Sequence, residues 1–174
     1  MHSKSYRFLT PLIMVLTWAN MEAQTSHPVP RLVVNVTIDQ LRTDYMEAFS
    51  SLFGAGGFNK VMRDGRSYMD AAYPFSHIDR ASAVACIMTG TVPYDNGIVG
   101  EHWMDRKTLR PMYCVDDATC EGWLTSEKYS PVALNVSTVT DELKMATGGR
   151  ALVYSIAPDA DAAILAAGHA ADGA

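Results

Sequence analysis

The sequence predicts an α/β fold, a mostly parallel sheet flanked by helices, and three observations carry that expectation. A continuous apolar, β-branched run, Arg31-LVVNVTI-Asp39, reads as a strand buried on both faces. Helical stripes follow it and alternate with further strand-like runs at Ser67-YMDAAYPF and Arg150-ALVYSIA. Gly54, Gly56-Gly57, Gly65, Gly90 and Gly148-Gly149 punctuate the pattern where helices should stop.

Taken in order, Lys4 and Arg7 precede an apolar stretch from Phe8 to Ala19, too short to span a bilayer but suited to the core of a secretory signal. Residues 1–23 are therefore expected to be a signal peptide cut after Ala23, with a membrane anchor as the alternative, and 24–30 a short Pro-rich leader. The location implied is periplasmic or secreted, with no stable membrane anchor after cleavage. Residues 31–174 are expected to hold one core and to be the N-terminal part of a single domain. Leu41, Tyr45, Phe49 and Leu52 form a helical stripe after the first strand, and GFNKVMRD at 57–64 predicts a second helix.

Beyond a loop at Pro74 to Asp79, Ala81 to Met88 has the small apolar composition of a helix packed closely on a sheet. Asp79 is its expected cap. Pro93 and Asp95-Asn96-Gly97 mark turns, and the stretch from His102 to Asp117 predicts a short hairpin. Helices are expected at 137–145, with Thr138, Asp141 and Glu142 as caps, and at 161–167.

Composition narrows the function. The 174 residues are 48% apolar and 19% charged with a net charge of −5, which is globular and offers no positive field for nucleic acid. In an oxidising compartment Cys114 and Cys120, which flank VDDAT, are a candidate disulfide pair, and Cys86 reads as a buried thiol. No paired Cys-x-x-Cys exists for a sulfur-ligated zinc. Asp39 ends the first strand at the edge where parallel sheets bind ligands. It could ligate a divalent metal there or cap the next helix.

The blocks VVNVTIDQLRTDY, GFNKVMRDGRSYMDAAYPF and MTGTVPYDNGIVG, with AILAAGHAAD near the end, resemble the N-terminal part of the type I phosphodiesterase and nucleotide pyrophosphatase group of the alkaline phosphatase superfamily. The likeness is nearest to secreted phosphomonoesterases that work insensitively to phosphate. It implies an alkaline-phosphatase-like α/β/α sandwich of which only the N-terminal part is present. It also implies two zinc ions, a small phosphate mono- or diester as substrate, and attack on phosphorus by a Thr or Ser at a helix start. Asp39 matches the family's first metal-binding aspartate.

Three departures qualify that implication. The family's Pro-Thr-x-Thr aligns with His77 to Arg80, so Arg80 occupies the nucleophile position, and a guanidinium cannot attack phosphorus. Ser82 is the alternative nucleophile only if the loop is shifted. A Lys and an Arg that bind phosphate oxygens in the phosphomonoesterase branch align with Asp159 and Asp161, read here as a solvated acidic turn. His102 aligns where the family places a phosphate-contacting Asn and is a candidate substrate contact. The other metal ligands, an Asp with a His four residues on, an Asp-His pair and a single His, align beyond the matched region, and His169 reads as a fold residue. A sulfatase signature is absent around Arg80. The expectation is a chain inactive by itself, whose alternative is a catalytically degenerate member holding an anionic ligand through Arg80.

Overall fold

The computed structural model describes residues 29–174, and the expected signal peptide lies outside them. Residues from Val34 to Ala174 form one compact unit. Its helices are α1 Thr43–Ala48, α2 Gly57–Asp64, α3 Arg80–Thr89, α4 Pro93–Asn96, α5 Val139–Ala146 and α6 Ala160–Ala167. A 3-10 turn at Ser50–Leu52 follows α1, and two strands, β1 His102–Met104 and β2 Pro111–Tyr113, make an antiparallel hairpin. Its register pairs His102 with Tyr113 and Met104 with Pro111, the hairpin expected from the sequence. Helices and strands mix as the α/β class requires, but the sheet among the described residues is small.

The core gathers Ala81, Val84, Ala85 and Met88 from α3 with Ile98, Cys114, Val115, Leu134 and Leu165. Small side chains on α3 explain why α6 can pack directly on it. Both α3 and α5 start on reciprocal caps. Asp79 accepts from the Ser82 amide while Ser82 accepts from the Asp79 amide, and Thr138 and Asp141 repeat the arrangement on α5. Asn96 is fully buried. Its amide donates to Thr91 O at 3.0 Å and its carbonyl oxygen accepts from Ile98 N at 2.9 Å, fixing the turn that follows α4.

The expected strand at 31–39 is corrected. Its residues belong to no ladder, and Val36 and Ile38 are 73% and 51% exposed rather than buried. The run at 67–75 is likewise not a strand, and 150–157 contributes one isolated parallel bridge, Tyr154 to Gly173. A strand buried on both faces needs a paired neighbour on each side, and no described segment supplies one. The helix expected directly after Asp39 starts at Thr43, because Asp39 and Gln40 form a turn with Gln40 at φ 58°. Asp39 caps nothing; position Arg42 precedes the helix without a side-chain cap.

Candidate functional site

The N-terminal end of α3 faces the N-terminal end of α6 and the end of β2. Arg80, the first residue of α3, directs its guanidinium at Asp161 in the first turn of α6. Nε lies 3.0 Å from Oδ2 and Nη2 3.0 Å from Oδ1, a bidentate pair. The third nitrogen, Nη1, is 3.1 Å from Asp159, and Nη2 also lies 3.5 Å from Glu101. These contacts hold the guanidinium charged well above its ordinary range: the Asp161 hydrogen bonds act most strongly, burial opposes them, and the charges of Asp161, Asp159 and Glu101 add.

Asp161 is fully buried, so the expected solvated acidic turn is corrected at that residue, while Asp159 is exposed. A carboxylate can be buried there because Arg80 neutralises it on one side and Tyr113 hydrogen-bonds it on the other. The phenol donates to Oδ1 at 3.2 Å and accepts from the Asp161 amide at 3.2 Å. Burial, then the Asp161 charge, pushes the Tyr113 hydroxyl up to about 12. Cys114 is buried next to Tyr113 and is also pushed up to about 12, by burial first and then by Asp161, Asp79 and Glu101.

Ser82 is fully buried. Its hydroxyl is 2.8 Å from Asp79 Oδ1 and 3.0 Å from the Asp79 amide, so it completes the cap. Asp79 also accepts from the Glu101 amide, which ties the start of α3 to the residue preceding β1. Burial, the largest influence, raises the Asp79 pKa, but these hydrogen bonds together hold it below the ordinary carboxylate value. His102 is exposed at the rim, its ring stacked on Tyr113 at 4.8 Å and its Nδ1 3.7 Å from Glu101.

Of the residues singled out from sequence, Arg80, Ser82 and His102 share this end of the molecule. Asp39 is exposed on its turn before α1. Among the described residues no three His, Cys, Asp or Glu side chains lie close enough to hold a metal ion. The described residues therefore do not fit a two-zinc centre by themselves. The disulfide expectation is also corrected: Cys86, Cys114 and Cys120 are free, and the Cys120 thiol is directed to the carbonyls of Asp117 and Tyr129, each at 3.3 Å. Sequence reasoning missed Tyr113, Glu101 and the partnership of Arg80 with Asp161. The one signal available was the coincidence of an unexpected cation at 80 with unexpected anions at 159 and 161.

Residues 33–165 match the model of the family described as type I phosphodiesterase / nucleotide pyrophosphatase. The chain is 40% identical over 148 residues to alkaline phosphatase PhoV of Synechococcus elongatus, covering 83% of this chain and 27% of that protein. It is 31% identical over 172 residues to alkaline phosphatase PafA of Elizabethkingia meningoseptica, covering 97% of this chain and 32% of that one. The crystal structure of wild-type alkaline phosphatase PafA superposes with a TM-score of 0.78 at 33% identity, over 84% of this chain and 29% of that one. The chain thus spans about a third or less of the length of these relatives. Matched over most of its length in sequence and sharing the fold of a solved relative, the chain belongs to the type I phosphodiesterase / nucleotide pyrophosphatase family of the alkaline phosphatase superfamily.

Proposed function

We propose that the protein is an exported, metal-dependent hydrolase of phosphate mono- or diesters by descent, with the N-terminal end of α3 as its phosphoryl-facing end. Small phosphate esters are the substrate class, nucleic acid is not a partner, and two zinc ions are the implied cofactor. Asp39 would offer one ligand, and the rest are not among the described residues. Export rests on Lys4, Arg7 and the apolar core that follows them. Among the described residues no helix is long and apolar enough to cross a membrane.

One observation favours a second reading, catalytic degeneracy. The side chain at the start of α3 is Arg80, and it is already held by Asp161 on two nitrogens. Arginine holds its proton under all ordinary conditions and has no lone pair to give phosphorus. Ser82, the hydroxyl on the first turn of α3, is buried and engaged by Asp79. A group in that state lacks both the access and the free base that an activated nucleophile needs.

The test is turnover of an aryl phosphate monoester and an aryl phosphate diester by the intact protein with zinc supplied. Hydrolysis that chelation abolishes supports the hydrolase reading. No hydrolysis by a protein that carries the remaining metal ligands, with substantial turnover after Arg80→Thr in that same protein, supports degeneracy caused at this one position.

A further inference from the structure

We propose that the meeting point of α3 and α6 is an oxyanion site occupied by the chain's own Asp161 carboxylate, an internal ligand that keeps phosphate out. The inference rests on reading this end of α3 as phosphoryl-facing. Its basis is geometry and charge. Arg80 opens α3 and Asp161 lies in the first turn of α6, so the pair sits at two helix N-termini, the ends at which a negative charge is favoured. A guanidinium fork fits a carboxylate in the same two-pronged way that it fits a phosphate. Asp161 takes both prongs at 3.0 Å, and Asp159 takes the remaining nitrogen at 3.1 Å.

Asp161 is also built in rather than swung in from solvent. It is fully buried, and Tyr113 holds the oxygen that Arg80 Nη2 contacts. Around the Arg80 guanidinium stand three carboxylates, Asp161, Asp159 and Glu101. A phosphate dianion approaching this surplus of negative charge meets repulsion and finds no guanidinium edge unoccupied. Arg80 therefore serves as the receptor of an internal carboxylate and not as the receptor of an external anion.

The experiment is titration of inorganic phosphate into the intact protein, followed by phosphorus NMR and by the shift in thermal midpoint. The parent is expected to show no saturable binding that depends on Arg80. Asp161→Asn keeps the shape and removes the charge, and it should bind phosphate roughly tenfold or more tightly than the parent. That gain should vanish in the Asp161→Asn, Arg80→Gln double variant. Saturable binding by the parent that Arg80→Gln abolishes would overturn the inference. So would an Asp161→Asn protein that is folded by circular dichroism yet gains nothing. If Asp161→Asn does not fold, the parent and Arg80→Gln decide alone: equal, unsaturable behaviour supports the internal ligand. Ester turnover is read separately, so loss of the hydrolase reading and loss of the internal-ligand reading give different results. Turnover by the parent without Arg80-dependent phosphate binding leaves Asp161 in place and removes only the claim of degeneracy.

Discussion

The Tyr113 hydroxyl and Arg80 Nη2 converge on one atom, Oδ1 of Asp161, at 3.2 and 3.0 Å. The phenol thus stands beside a negative charge that is only partly spent on the guanidinium, and ionising it would place a second anion there. Tyr113 should titrate near pH 12 by ultraviolet phenolate absorbance, because burial first and Asp161 next oppose its ionisation. Its folded pKa lies above the ordinary value of 10.0, so its stabilising contribution is complete below that value and is lost as pH rises through about 12. Tyr113→Phe should delete this late-titrating phenol at a cost of about 1 kcal/mol. Asp161→Asn should move the titration to lower pH.

Gly168 closes α6 with φ 81°, and a Cβ there would stand 2.8 Å from both Asp141 carboxylate oxygens and closer still to Thr138 Oγ1. Gly168→Ala meets left-handed strain and a clash with the cap of α5 together, and should cost about 2 kcal/mol or more. Gly148→Ala has a similar backbone requirement, φ 60°, but open space around the new atom. It should cost about 1 kcal/mol. Urea midpoints of the two variants check the order.

Asp141 joins three segments. It accepts from the Thr138 amide at 2.9 Å and the Ala170 amide at 2.8 Å, and lies 3.2 Å from His169 Nδ1, whose Nε2 is 3.0 Å from Leu134 O. Burial is the largest influence and raises its pKa, but these bonds together hold it below the ordinary value of 3.8. The stability Asp141 contributes is therefore present above that value and is lost as pH falls below it. Asp141→Asn should lower stability at neutral pH by about 1 to 3 kcal/mol. It should also flatten the acid limb of the stability profile, measured by denaturant unfolding at several pH values.

All three cysteines are free, and they differ in access. Denatured protein kept without reductant should take up label at Cys86, Cys114 and Cys120. In the native state Cys114 should be the slowest, being fully buried and pushed up to about 12 by burial before any charge acts. Peptide mapping of partly labelled protein would show the order. Equal native rates at Cys114 and the others would contradict the placement of Cys114 in the core.

Local chemistry made the helices readable from sequence. Asp79 and Thr138 announced the starts of α3 and α5, Gly90 marked the end of α3, and Pro111 and His102 fell inside a stretch recognisable as a hairpin. Strands were less readable, because a run such as Val33 to Ile38 states what it can bury but not whether a neighbour is there to bury it. Site residues show the same division. Arg80 stood out at once as a cation in place of a hydroxyl. Its partner lies 81 residues away in sequence, and nothing in the turn around Asp159 and Asp161 distinguishes a solvated acidic loop from a buried carboxylate awaiting a guanidinium. Tyr113 carried no signal, since a phenol at a strand end is ordinary until an acid is placed against it.

On the degenerate reading proposed above, α3 presents no competent nucleophile at its N-terminal end. The most direct measurement is mass spectrometry of the intact protein, acid-quenched during exposure to an aryl phosphate ester with zinc present, and mapped over the peptide that contains residues 79–91. No phosphoryl adduct is expected on that peptide in the parent, and Arg80→Thr should give an adduct at position 80 only in a protein that also carries the remaining metal ligands. A phosphoryl group found on Ser82 of the parent, and removed by Ser82→Ala but not by Arg80→Ala, would contradict it.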